Sequence, residues 1–110
     1  MITNKNIETY DGYTDFVEGK IITDPSDRLM ENLLGLCEEV GELLGKVKRM
    51  LRDKEFNRED ILNECGDVYF YNTSIASYFG SSLTEVININ MDKLNDREAR
   101  GVLKGSGDKR

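Results

Sequence analysis

Residues 29–50 read LMENLLGLCEEVGELLGKVKRM. Apolar side chains recur at Leu29, Leu33, Leu36, Val40, Leu43, Val47 and Met50, spacings of three and four that only a helix satisfies. The segment Asp24-Pro25-Ser26-Asp27 precedes the stripe, with Asp24 as N-cap and proline at the first helical position. The stripe fades near Arg52-Asp53. Working outward, Asn57 followed by Asp60 opens another helix, with the stripe Ile61, Cys65, Val68, Tyr69, Asn72, Ile75, Ala76 and Phe79. Gly80 ends it. Ser82 with Glu85 opens a further helix that carries Val86, Ile89 and Leu94 to about Glu98. An N-terminal helix is expected over roughly Ile7 to Glu18. The fold class is therefore all-α: a four-helix bundle over residues 1–100 and a tail over 101–110. Gly101, Gly105 and Gly107 forbid a stable helix in that tail, which is expected to be flexible and basic. Such a tail either frays or closes over phosphates.

With 110 residues the chain is long enough for one small domain, and oligomerisation would help so small a core. No apolar run approaches the ~20 residues that span a bilayer, and the first residues lack the apolar core of a secretion signal. A cytoplasmic protein without a membrane partner is expected. Cys37 and Cys65 form no CxxC pair and read as reduced, half-buried small hydrophobes. The complete lack of histidine removes histidine bases and most zinc or copper sites. A net charge of -6 argues against nucleic-acid binding through a basic surface. Charge is unevenly placed, however: Lys93, Arg97, Arg100, Lys104, Lys109 and Arg110 face only three acidic residues over the same stretch. An acidic body with a basic tail suits a polyanion if a cation sits between them.

Two acidic patterns stand out, Glu38-Glu39-Val-Gly-Glu42 and Glu64-Cys-Gly-Asp67. On the first helix Glu39 and Glu42 lie about 80° and 140° to one side of Val40, and on the second Glu64 and Asp67 take similar offsets from their stripe. Packed as an antiparallel hairpin, the four carboxylates would line one edge of the helix pair. Unpaired, they would raise one another's pKa. A hard divalent cation relieves that repulsion, and oxygen-only ligands without histidine point to Mg2+ or Mn2+. Counted from the connection, Glu39 and Glu42 lie further along their helix than their counterparts. Either the first helix ends early or the connection climbs. Tyr71 sits one turn beyond Asp67. Asn90, Lys93 and Arg97 share one face of the last helix and suit a base, sugar or phosphate. Gly35, Gly41 and Gly45 leave room for another helix or a ligand.

The run Gly35-Leu-Cys-Glu-Glu-Val-Gly-Glu-Leu43, then Glu64-Cys-Gly-Asp67, Asn90-Met-Asp-Lys-Leu-Asn-Asp-Arg97 and the tail Arg100 to Asp108, resembles the MazG-like nucleoside triphosphate pyrophosphohydrolases. The resemblance covers about residues 29–110. It implies a MazG-like four-helix fold working as a homodimer or homotetramer. It implies Mg2+ at Glu39, Glu42, Glu64 and Asp67, a catalytic or water-orienting Glu38, and nucleotide contacts at Tyr71, Asn90, Lys93, Arg97 and Lys104. Tyr10, Tyr13 and Phe16 are candidates for a base pocket. The implied reaction is hydrolysis of ribo- or deoxyribonucleoside triphosphates to monophosphate and pyrophosphate. Phosphoribosyl-ATP pyrophosphohydrolysis and a non-catalytic helical nucleotide-binding module remain alternatives. Cys65-Gly66 departs from the small or aliphatic pair of many relatives.

Overall fold

The computed structural model describes residues 10–110, the side chain of residue 11 excepted. The described residues form four helices and no strand: α1 (Tyr10–Glu18), α2 (Arg28–Asp53), α3 (Arg58–Tyr78) and α4 (Leu83–Ala99). The expected start of the first helix at Ile7 lies outside the described residues. None of these helices is long and apolar enough to cross a membrane.

Local chemistry sets the helix ends. The Asn57 side chain accepts the Asp60 N–H at 3.3 Å, and Ser82 Oγ accepts the Glu85 N–H at 3.1 Å. Gly80 takes a φ of 77°, which lets the Gly80 N–H reach Ser77 O at 2.9 Å and the Ser81 N–H reach Ala76 O at 3.0 Å. The start of α2 departs from expectation. The Asp24 carboxylate accepts from the Ser26 N–H at 2.9 Å and from its hydroxyl at 2.7 Å, closing a local turn. With that side chain spent on its own turn, the helix begins only at Arg28, and Asp27 before it makes no side-chain cap.

Helix α3 is central. α2 runs antiparallel along it, while α1 and α4 pack on it and on each other. The Thr14 hydroxyl of α1 accepts the Leu83 N–H at 3.0 Å and so fixes the first turn of α4. The α2–α3 seam is polar, contrary to the stripe-on-stripe packing that the sequence suggests. Ser74 hydroxyl donates to the Asn32 side chain, and both residues are buried. Arg28 donates to Ser74 O at 3.2 Å and also pairs with Glu18 of α1. Further along, Gly35 faces Tyr71, and Lys46 meets Glu64. The line Asn32, Gly35, Glu39, Lys46, Met50 therefore faces α3, and the apolar stripe is divided to either side. Leu33, Val40 and Val47 are exposed, and Leu29, Leu36 and Leu43 are half-buried.

Val17 and Met50 are the buried apolar side chains among the described residues. Leu34, Leu44, Leu51, Tyr69 and Ile89 all face outward. The radius of gyration, 16.6 Å, exceeds the ~13 Å of a compact chain of about 100 residues. One copy thus leaves much apolar surface without cover.

The connection climbs. Lys54 adopts a left-handed conformation, and residues 55–57 return beside the last turns of α2. Lys46, Arg49, Met50 and Asp53 on one side, with Phe56 and Asp60 on the other, enclose a cavity of about 430 Å³. The axial mismatch between the acidic patterns is absorbed there.

The segment 101–110 has neither helix nor strand. It is nonetheless fastened. Arg110 donates to Gly107 O at 2.6 Å, Leu103 O at 3.0 Å and Val102 O at 3.1 Å. Gly101, Gly105 and Gly107 all have positive φ, a cheap conformation only for glycine. The glycines build a loop that Arg110 holds through these hydrogen bonds.

Candidate metal centre

Glu39 of α2 faces the first half of α3. Each of Glu39, Glu64 and Asp67 offers a carboxylate oxygen, and the three oxygens lie within 4.8 Å of one another. Their positions follow from helix geometry: Glu64 and Asp67 are one turn apart on α3, and the seam brings Glu39 opposite them. Burial grades across the cluster. Glu64 is 5% exposed, Glu39 is half-buried and Asp67 is exposed. One oxygen of Glu39 and one of Glu64 are buried without a hydrogen-bond partner among the described residues. Unpaired buried carboxylate oxygens cost stability unless a cation or water meets them. The donor set is oxygen only and anionic, which fits Mg2+ or Mn2+.

Electrostatics agree. Burial, the Asp67 charge, the adjacent Glu64 carboxyl and the charges of Glu42 and Glu64 push the Glu39 carboxyl up to about 7. Glu64 moves the other way, because the Lys46 ammonium sits 2.9 Å from its Oε1. Glu42 is exposed and flanks the cluster, close enough to act on both Glu39 and Glu64. The expected quartet is thus a convergent trio with a fourth carboxylate alongside.

Glu38, next to Glu39 in sequence, is exposed, and its charge reaches Tyr71. The Tyr71 ring occupies the space over Gly35, where an added Cβ would stand 2.8 Å from Cδ1 and closer still to Cε1 and Cζ. Burial, then the charges of Glu39, Glu31, Glu38 and Asp67, raise the Tyr71 hydroxyl pKa. A cavity of about 190 Å³ opens beside this ring, with Asn32, Glu31 and Phe70 in its walls. Tyr13 of α1 stacks on Phe16 at 6.1 Å, and its own pKa is raised by burial and by the Asp67 charge. The other two N-terminal aromatic candidates, Tyr10 and Phe16, are both exposed.

The α4 candidates lie elsewhere in the chain, because α4 packs on α1 and α3 and not on α2. Arg97 is 4% exposed and donates to Gly107 O at 3.3 Å. Asp108 Oδ1 stands 3.3 Å from Lys93 Nζ and 3.5 Å from Arg97 Nη2. The basic pair therefore already holds an oxyanion of its own chain. Asn90 and Lys104 are exposed. Cys65 is half-buried as expected, whereas Cys37 is exposed, because the polar seam turns its face of α2 outward; both are free thiols.

Lys46 and Asn32 were not among the candidates that the sequence suggested. The signal for Lys46 was its position, one turn past Glu42 and two past Glu39 on the same face. Asn32 sits off the acidic motif, between Glu31 and Leu33, so nothing in the sequence marked it.

The described residues thus define an all-helical protein with a polar, acidic seam in an antiparallel helix pair. The family model of the MazG nucleotide pyrophosphohydrolase domain matches residues 28–102. The chain belongs to that family. It is similar to the "Gene 37 protein" of Mycobacterium phage L5, 43% identical over 82 residues, which cover 70% of this chain and 72% of the relative. No solved structure gives a significant match to the chain.

Proposed function

We propose that this chain hydrolyses nucleoside triphosphates to monophosphate and pyrophosphate, with Mg2+ as cofactor and Mn2+ as substitute. The observation that carries this is the convergence of Glu39, Glu64 and Asp67 within 4.8 Å, with buried oxygens left unpaired. Glu42 completes the ligand set from the flank. A divalent ion held there supplies positive charge for the polyphosphate and acidifies attacking water. Glu38 takes the water proton as general base. Tyr71 and the adjoining cavity receive the nucleoside. Lys93 and Arg97, with Lys104 near them in sequence, offset charge on the phosphates, and Asn90 hydrogen-bonds the base or sugar. That an aspartate already sits between Lys93 and Arg97 supports their taking an oxyanion.

The working unit is a homodimer or homotetramer. The support is the exposed apolar face of α2, which a single copy leaves uncovered.

A panel of ribo- and deoxyribonucleoside triphosphates with Mg2+, read by pyrophosphate release, tests the reaction. Turnover of at least one triphosphate is expected, abolished by EDTA and by Glu39→Gln with Glu42→Gln in a chain that stays folded. Full activity in a metal-stripped sample, or in that double variant, overturns the mechanism.

A further inference from the structure

Lys46 projects from α2 toward Glu64, with its Nζ 2.9 Å from Oε1. The other oxygen of Glu64 is buried and has no partner among the described residues, as is one oxygen of Glu39. The ammonium thus neutralises one end of a carboxylate whose other end looks into the acidic cluster. Lys46 is less enclosed than its partner: its side chain is 26% exposed against 7% for Glu64. It also lines the cavity between the end of α2 and the climbing connection, together with Arg49, Met50 and Asp60. Asp60, across that cavity, already acts on the ammonium electrostatically. Rotation of a flexible stem can therefore carry the charge away from Glu64 into an open space that holds another carboxylate.

We propose that Lys46 is a tethered counter-cation, and that a divalent ion enters the cluster by displacing it from Glu64. This rests on the metal-binding reading above. An ammonium and a dication sharing one carboxylate at contact distance repel each other strongly in a partly buried site. The lysine also offsets part of the mutual repulsion of Glu39, Glu42, Glu64 and Asp67 while no metal is bound. It therefore stabilises the metal-free chain and lowers its affinity for free metal. Binding is an exchange of one cation for another.

The test is Mn2+ binding to the EDTA-treated, dialysed full chain, measured by calorimetry without nucleotide, with circular dichroism as the check of folding. Lys46→Met and Lys46→Gln are expected to bind Mn2+ about tenfold more tightly than wild type and to melt at a lower temperature when metal-free. Lys46→Arg keeps the charge and should bind like wild type. In the unaltered chain, the Lys46 ammonium signal in NMR should shift when Mg2+ is added, a readout that needs no folded variant. Unchanged or weaker Mn2+ binding in the neutral variants overturns the exchange, as does an unmoved ammonium signal. A merely structural lysine would lower the melting temperature without tightening metal binding. If wild type and variants alike bind no Mn2+ at millimolar concentration, the metal reading falls and this inference with it. Binding by wild type without the gain in the variants sinks this inference alone.

Discussion

Tyr71 lies across Gly35 so closely that no other residue fits beneath it: a Cβ there would be 2.8 Å from Cδ1 of the ring. The aromatic ring is thus seated on the backbone of the helix that carries Glu38, Glu39 and Glu42. Gly35→Ala must push the ring out or part the helices. A loss of about 1–3 kcal/mol is expected on overpacking grounds, together with a raised KM for the nucleotide. Urea denaturation and steady-state kinetics check it. Gly41 provides the control, since nothing lies within 4 Å of its added Cβ. Gly41→Ala should stabilise the helix by about 0.5–1 kcal/mol.

Glu39 titrates near neutrality, with its carboxyl pushed up to about 7 from an ordinary value of 4.5. Between these values the folded chain holds a proton that the unfolded chain has released. Stability from this group is therefore present at low pH and is lost as pH rises through about 7. Glu39→Gln keeps the neutral form at every pH. Metal-free, its melting temperature should track wild type near pH 4 and exceed it by a margin that widens up to about pH 7 and then levels off. A margin that does not change with pH would show that Glu39 ionises normally. For the same reason Mg2+ binding by wild type should strengthen over this range, because bound metal must expel the Glu39 proton.

Asp108 occupies the pair formed by Lys93 and Arg97 from an otherwise exposed position, 86% of its side chain being accessible. If that pair grips phosphates, Asp108→Asn should lower KM for the triphosphate a few-fold, most clearly at low salt, with kcat little altered. Removal of residues 101–110 should instead lower turnover more than melting temperature. Equal losses in the two would mark the tail as structural.

The outward faces of Leu34, Leu44 and Leu51 on α2 predict association. Sedimentation should give a mass at least twice the 12.6 kDa of one chain. Leu44→Glu with Leu51→Glu should shift it toward monomer and lower the melting temperature. A wild-type chain that sediments as a monomer at micromolar concentration would contradict this.

Much of the fold was legible because the periodic segments and their caps are local. Asn57 with Asp60, Ser82 with Glu85 and the glycine at 80 each act within a few residues. Asp24 misled for an equally local reason: its side chain had a nearer donor in Ser26. The acidic centre was legible because Glu39, Glu64 and Asp67 combine fixed helical spacing with an antiparallel pairing. The face on which they meet was not. Hydrophobic periodicity assigns the inner side of a helix on the assumption that one chain buries its own stripe. Here α2 turns Asn32, Glu39 and Lys46 toward α3 and leaves Leu33, Val40 and Val47 outward. Nor does periodicity distinguish a lysine that reaches a buried glutamate from one that reaches water.

The rising connection at 54–57 has the character of a gauge block. It fixes how far α2 has slid along α3, and with that which rung of one helix faces which rung of the other. Adding or removing one residue there would shift the rungs by ~1.5 Å and rotate one helix by ~100°. Glu39 would then lose Asp67, and Tyr71 would land on a leucine instead of Gly35. A short stretch outside the acidic cluster would so dismantle the centre without changing any of its side chains.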